Sequence, residues 1–182
     1  MRVLGIDPAA AGPAGYGVVE TDGADCRMLR FGALGRSPRS SFEERLRAIH
    51  ALVAELVQEF SPDAVAVESV FTSLNMKTAL KLAEVRGVVT LAAAQAGIAV
   101  HSYAPREVKA CVAGHGNASK MQMQQMVRAT LHLRETPQPA DAADALAVAL
   151  CHIYAMQARE RIARATGTAD SRAAAHRIQP SR

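Results

Sequence analysis

Short apolar runs come first in this chain, and long amphipathic stretches take over after about a quarter of its length. Three runs, Arg2 to Ile6, Gly15 to Glu20 and Cys26 to Leu34, are separated by Gly-rich and Asp-Gly turns and predict an antiparallel meander. A stripe at helical spacing follows in Phe42, Leu46, Ile49, Val53, Leu56, Val57 and Phe60. It opens on Ser41-Phe-Glu-Glu, a capping-box pattern, and stops at Ser61-Pro62, which predicts an amphipathic helix with a structural role. Ala64 to Val67 reads as a buried strand and Ala99 to Tyr103 as another, with a helix between them from about Asn75 to Ala96. Pro105 begins a short helix, Ser119-Lys-Met-Gln122 caps a further one, and Pro139 precedes a last helix with Leu146, Val148, Ala149, Leu150 and Ile153 at helical spacing. Strands first, then strand–helix alternation, predict an α/β fold: a mixed sheet with helices on both faces.

The helix from Asn75 to Ala96 is apolar on more than one side and carries Gly87 in its interior, where helix propensity disfavours it. Close approach of another helix would account for that glycine, either within the monomer or across a homodimer contact. At 182 residues and 49% hydrophobic composition, the chain suits one domain with a real core. It has neither an apolar run of about 18 residues nor a signal-like N-terminus, so a cytoplasmic protein is expected. Cys26, Cys111 and Cys151 are widely spaced, odd in number and form no Cys-x-x-Cys, which predicts buried free thiols in preference to disulfides or a zinc site. The net charge of +4 lies entirely from Gln157 onward, where six Arg face Glu160 and Asp170. Residues 1–156 are therefore expected to form the domain and 157–182 the end of the last helix with a basic tail, disordered over Thr166 to Arg182.

The candidate chemistry is carboxylate chemistry. Asp141 and Asp144 lie three apart at the start of the last helix, so helical geometry puts both on one face. Alone they would serve the helix dipole. Val3 to Ile6 runs into Asp7, however, and Ala64 to Val67 runs into Glu68, placing two more acids where strands give way to loops, the usual place for a site in an open sheet. Four converging carboxylates would repel one another unless cations joined them, and an all-oxygen set favours Mg²⁺ or Mn²⁺ over zinc.

Several blocks together resemble the RuvC family of Holliday junction resolvases, within the RNase H-like (retroviral-integrase-like) nuclease superfamily. They are Gly-Ile-Asp7-Pro with Gly15-Tyr16-Gly17, Val-Glu68-Ser-Val-Phe71, Asn75-Met-Lys-Thr-Ala-Leu-Lys-Leu leading to Arg86-Gly87-Val, Tyr103-Ala-Pro-Arg-Glu-Val-Lys109, Gly114-His-Gly-Asn-Ala-Ser-Lys120 with Met126-Val-Arg128, and Ala-Asp141-Ala-Ala-Asp144-Ala-Leu-Ala. The resemblance covers roughly residues 1–155. It implies a mixed five-stranded RNase H-like sheet with Asp7 on the first strand, Glu68 on the fourth and the Asp141/Asp144 helix beside them. It also implies a homodimer, whose two-fold symmetry matches paired cuts in a four-way DNA junction. The implied reaction is two-metal phosphodiester hydrolysis, with two Mg²⁺ about 3.5–4 Å apart on Asp7, Glu68, Asp141 and Asp144, leaving 5′-phosphate and 3′-hydroxyl ends.

By the same resemblance Lys109 and Lys120 meet phosphates and Phe71 stacks on bases at the junction, with the branch-migration proteins RuvA and RuvB as partners. Taken alone, the lysines would be solvated surface charges and Phe71 a core residue. The loop after Asp7-Pro8 departs from the family, with Ala9-Ala10-Ala11-Gly12-Pro13 where Gly is usual and about one residue more. That departure motivates an alternative, a catalytically weak junction-binding protein of the same fold. Gly-Ile-Asp-Pro also opens actin-like ATPases, but 182 residues are too few for their duplicated domains.

Overall fold

The computed structural model describes residues 1–9, 12–35, 40–69 and 75–166. Strands β1 (Arg2–Asp7), β2 (Ala14–Thr21) and β3 (Cys26–Leu34) form the expected antiparallel meander. Helix α1 (Phe42–Phe60) then carries the chain back to β4 (Ala64–Glu68), which lies parallel to β1. Helix α2 (Met76–Gln95) leads to β5 (Ala99–Tyr103), parallel to β4, and α3 (Pro105–Ala113), α4 (Lys120–Thr130) and α5 (Ala140–Ala165) complete the fold. The sheet order is β3-β2-β1-β4-β5, so β1 and β4 sit near its middle.

Local chemistry explains the helix starts. Ser41 and Ser119 both form complete capping boxes, with Glu44 and Gln122 returning a bond to the cap backbone. Asn75 caps α2 by accepting from the Thr78 amide, and α3 has Pro105 in its first turn.

Alternation along the strands divides the core in two. Leu4, Ile6, Val18, Val65 and Val67 face α1 and α2, meeting Ile49, Val53, Leu56, Val85 and Val89. Val3, Val19 and Ala66 face the other way, onto α5, with α3 and α4 packed behind. Helix α5 is the central element of that layer, and every residue from Ala145 to Ile153 is buried.

Gly87 has a different explanation from packing inside the monomer. A Cβ built there meets no atom of the described residues within 4 Å, and the glycine lies on the outer side of α2. Met76, Leu80 and Leu91 are exposed on the same helix, at 74%, 57% and 53%. Their spacing aligns them with Ala83 and Gly87 in one uncovered apolar stripe. All three cysteines are unbridged, as their spacing predicts. Among the described residues no helix is long and apolar enough to cross a membrane. Phe71, the middle of the loop after Asp7 and most of the basic tail lie outside the described residues.

Candidate active site

Parallel pairing of β1 with β4 sets Ile6 beside Val67, so the next residues, Asp7 and Glu68, emerge side by side from the carboxyl ends of two central strands. Period-two alternation turns both toward α5, because Asp7 shares its face with Gly5 and Glu68 shares its face with Ala66. Strand sequence and register alone thus bring two acids together.

The other two acids reach them because the sheet beneath α5 is made of glycine. Gly5 pairs with Gly17 and Asp7 with Gly15 across β1 and β2, which puts these three glycines on the α5 side. A Cβ on Gly15 would stand 1.9 Å from the Asp141 carbonyl oxygen, and one on Gly5 would stand 2.1 Å from that of Ala145. On Gly17 it would reach 2.6 Å from the Leu146 Cδ2. Helix α5 therefore rests backbone on backbone, closer than any side chain would permit. Asp141 in its first turn, and Asp144 one turn on, come to the strand ends that carry Asp7 and Glu68.

Asp7 and Glu68 are hydrogen-bonded to each other. Burial holds the Asp7 carboxyl far above its ordinary range, to about 9, and the charges of Glu68, Asp144 and Asp141 push in the same direction. Glu68 is also raised, first by burial and then by Asp144, against its bond to Asp7 and the nearby Lys109 and Lys120. Two carboxyls in contact cannot both ionise cheaply, so the pair favours sharing a proton between them. A cation would take over the role of that proton.

Lys120 has a nearer partner than the solvent expected for a lone lysine. Its Nζ lies 3.0 Å from the Asp144 Oδ2, and that bond raises its pKa, with Asp141 and Asp7 adding to the effect. Lys109 from α3 and Lys120 from α4 line one pocket with Glu68 and Asp144, about 190 Å³ in volume, whose apolar side is Val108, Met123, Ala147 and Val148. Positive groups thus stand over an acidic floor.

The donor set suits a hard divalent cation: it consists of carboxylate oxygens, two of them in a half-buried pair whose pKa values are both raised. Among the described residues, no three acidic, histidine or cysteine side chains converge closely enough to grip one ion as they are oriented. Asp144 points to Lys120, so ion binding requires it to exchange that partner for the metal.

Two supporting contacts were not legible in the sequence. Ser69, directly after Glu68, donates from both its amide and its hydroxyl to the Tyr103 carbonyl, at 2.8 and 3.1 Å. The Tyr103 hydroxyl is hydrogen-bonded in turn to His152 Nδ1, 2.7 Å away and buried. Burial, with His101 and Arg159 nearby, lowers the His152 pKa to about 4 and keeps it neutral. This chain of bonds joins the Glu68 strand to the Asp144 helix through β5. Only the family resemblance singled out Tyr103, and nothing in local spacing marked His152 as its partner.

A three-stranded meander extended by two parallel strands, with acids at the ends of β1 and β4 and a helix laid across them, defines an RNase H-like nuclease fold. A model of the family described as crossover junction endodeoxyribonuclease RuvC matches residues 3–152. The chain belongs to the RuvC family. A crossover junction endodeoxyribonuclease RuvC from Chloroflexus aggregans is 47% identical over 161 residues, spanning 88% of this chain and 98% of that protein. The solved RuvC of Thermus thermophilus is 43% identical with a TM-score of 0.77, covering 85% of this chain and 94% of that one. The same enzyme in complex with a Holliday junction substrate gives 42% and 0.81, with coverage of 86% and 95%. A yeast mitochondrial Holliday junction resolvase, at 14% identity and a TM-score of 0.67, shares the fold over 90% of this chain and 82% of its own.

Proposed function

We propose that this chain resolves four-way DNA junctions, hydrolysing one phosphodiester in each of two strands and leaving 5′-phosphate and 3′-hydroxyl ends. The observation that carries the reading is the half-buried, proton-sharing Asp7–Glu68 pair with Asp141 and Asp144 near it over the glycine floor. Membership in the RuvC family and likeness to the junction-bound Thermus thermophilus enzyme support the choice of substrate.

Asp7, Glu68, Asp141 and Asp144 are the residues that would hold two Mg²⁺, which when bound supply charge neutralisation and an activated water. Asp7 would have to give up the proton it shares with Glu68 to serve as a ligand. Lys120, which holds Asp144, and Lys109 at the same mouth would supply the positive charge that meets the scissile phosphate. Phe71 is assigned the stacking role on junction bases by family likeness.

Two cuts of like polarity call for two sites related by a two-fold axis, and the uncovered stripe of Met76, Leu80, Gly87 and Leu91 on α2 is the surface that a second copy would cover. RuvA and RuvB are proposed as partners on family grounds.

The test compares cleavage of a synthetic four-way junction with that of linear duplex of the same sequence, in Mg²⁺ and in EDTA. Paired, ligatable, metal-dependent cuts confined to the junction are expected. Asp7→Asn should reduce cutting on the order of 10²–10³-fold or more while junction binding persists. Unimpaired cutting by that variant would remove Asp7 from the site. Tight junction binding by the unmodified chain without any cleavage would favour the junction-binding alternative.

A further inference from the structure

The loop that leaves Asp7 and returns at Gly15 is where this chain departs from its family, and it is held from the far side of the sheet. Arg45, in the first turns of α1, is only 7% exposed although its helix is otherwise buried through apolar side chains. Its Nη2 donates to the carbonyl oxygens of Ala9 and Gly12, at 2.7 and 2.5 Å. A guanidinium is costly to bury and stays charged, so it settles where fixed oxygen acceptors match its planar fork. Here the acceptors are main-chain oxygens on the two legs of one loop.

Those legs lead to both halves of the acid cluster. Ala9 is two residues beyond Asp7. Gly12 is three residues before Gly15, on whose bare backbone the Asp141 carbonyl of α5 rests. Holding Ala9 and Gly12 on one nitrogen ties together the two legs of the loop just beyond the Asp7–Gly15 pair that ends the β1–β2 ladder. No other charged group of α1 is buried.

We infer that Arg45 is a positioning residue for the metal site, acting through the loop after Asp7 and not by touching substrate or ion. The inference rests on the metal-dependent nuclease reading. It also assigns a role to two residues of the altered loop, Ala9 and Gly12, whose carbonyls Arg45 holds.

Arg45→Met and Arg45→Lys test this beside the exposed Arg47→Met as a control. Two Mg²⁺ midpoints are read for each: the shift in thermal unfolding without DNA, and half-maximal junction cleavage. Junction affinity is measured separately in EDTA. Arg45→Met should need about 10–100-fold more Mg²⁺ by both readouts, the usual cost of removing an outer support of a metal ligand. Excess Mg²⁺ should recover most of the cleavage, junction affinity in EDTA should stay within about twofold of the unmodified chain's, and Arg45→Lys should fall between. Folded Arg45→Met with ordinary Mg²⁺ midpoints overturns the proposal. So does a loss of junction affinity as large as the loss for Mg²⁺, which would mark a general structural role. If Arg45→Met does not fold, Arg45→Lys decides: ordinary midpoints in that variant overturn the proposal and raised ones support it. An unmodified chain that cuts junctions without any metal would instead refute the nuclease mechanism itself.

Discussion

The two faces of the sheet are built on opposite principles. Toward α1 and α2 the strands offer Leu4, Ile6, Val18, Val65 and Val67, and the helices stand off at the distance those side chains impose. Toward α5 they offer Gly5, Gly15 and Gly17 beside Val3, Val19 and Ala66, and at the glycines the helix settles close to the backbone itself. The first face obtains stability from apolar volume. The second gives up volume for position at its glycines: there the start of α5 lies directly on the strands, which sets where the backbone that carries Asp141 and Asp144 stands. A site that must place several charges within an ångström or so is best built on that kind of face.

The sharpest way to break this comparison is to add one carbon on one face and remove several on the other. Gly15→Ala pushes a Cβ into the Asp141 carbonyl, so α5 must move, and cleavage should fall about 10²-fold or more. Leu56→Ala, at a fully buried position among the apolar contacts of α1, should cost about 2–5 kcal/mol of stability. Cleavage per folded molecule should nevertheless stay near that of the unmodified chain. Denaturant unfolding beside junction cleavage reads both, and equal losses of activity in the two variants would erase the distinction.

A middle-sized effect concerns the outside of the stability face. Leu80→Asp, in the uncovered stripe of α2, should weaken self-association by on the order of 30-fold, the effect of removing one well-packed interface anchor. Sedimentation across a concentration series checks it. An unchanged dimer would place the interface elsewhere.

The smallest effect lies in the pH dependence on the α5 side. His152 has a folded pKa near 4 against an ordinary 6.5, so the unfolded chain takes up its proton first as pH falls. Its contribution to stability is therefore full above about 6.5 and is lost progressively toward about 4. Thermal midpoints should decline across that window, and His152→Gln should flatten part of the decline. An identical slope in the variant would mean that the burial of His152 contributes nothing.

Much of this architecture was legible in the residues. Ser41, Asn75, Pro105 and Ser119 announced helix starts that occur where expected, and all five strands fall within about a residue of their apolar runs. Asp7 and Glu68 were readable as strand-end acids because alternation and burial are local properties. What could not be read was distance. Gly5, Gly15 and Gly17 stood out as part of a motif, but their common face depends on the pairing register of β1 with β2. Lys120 was readable as a basic group near the site, yet its bond to Asp144 joins elements 24 residues apart in the chain. Arg45 did leave a signal, a charged residue four positions before Ile49 on the buried side of α1; its acceptors, being main-chain oxygens, leave none.

The glycine floor also bears on how such a molecule should be surveyed by mutation. Scanning by truncation asks what is lost when atoms are taken away, and at Gly5, Gly15 and Gly17 there is nothing to take. These positions would be passed over as blanks although a Cβ at each would stand within 2.6 Å of an atom of α5. The informative scan here runs in reverse, adding a methyl group at a time, and its map of intolerance should trace the outline of α5 on the sheet.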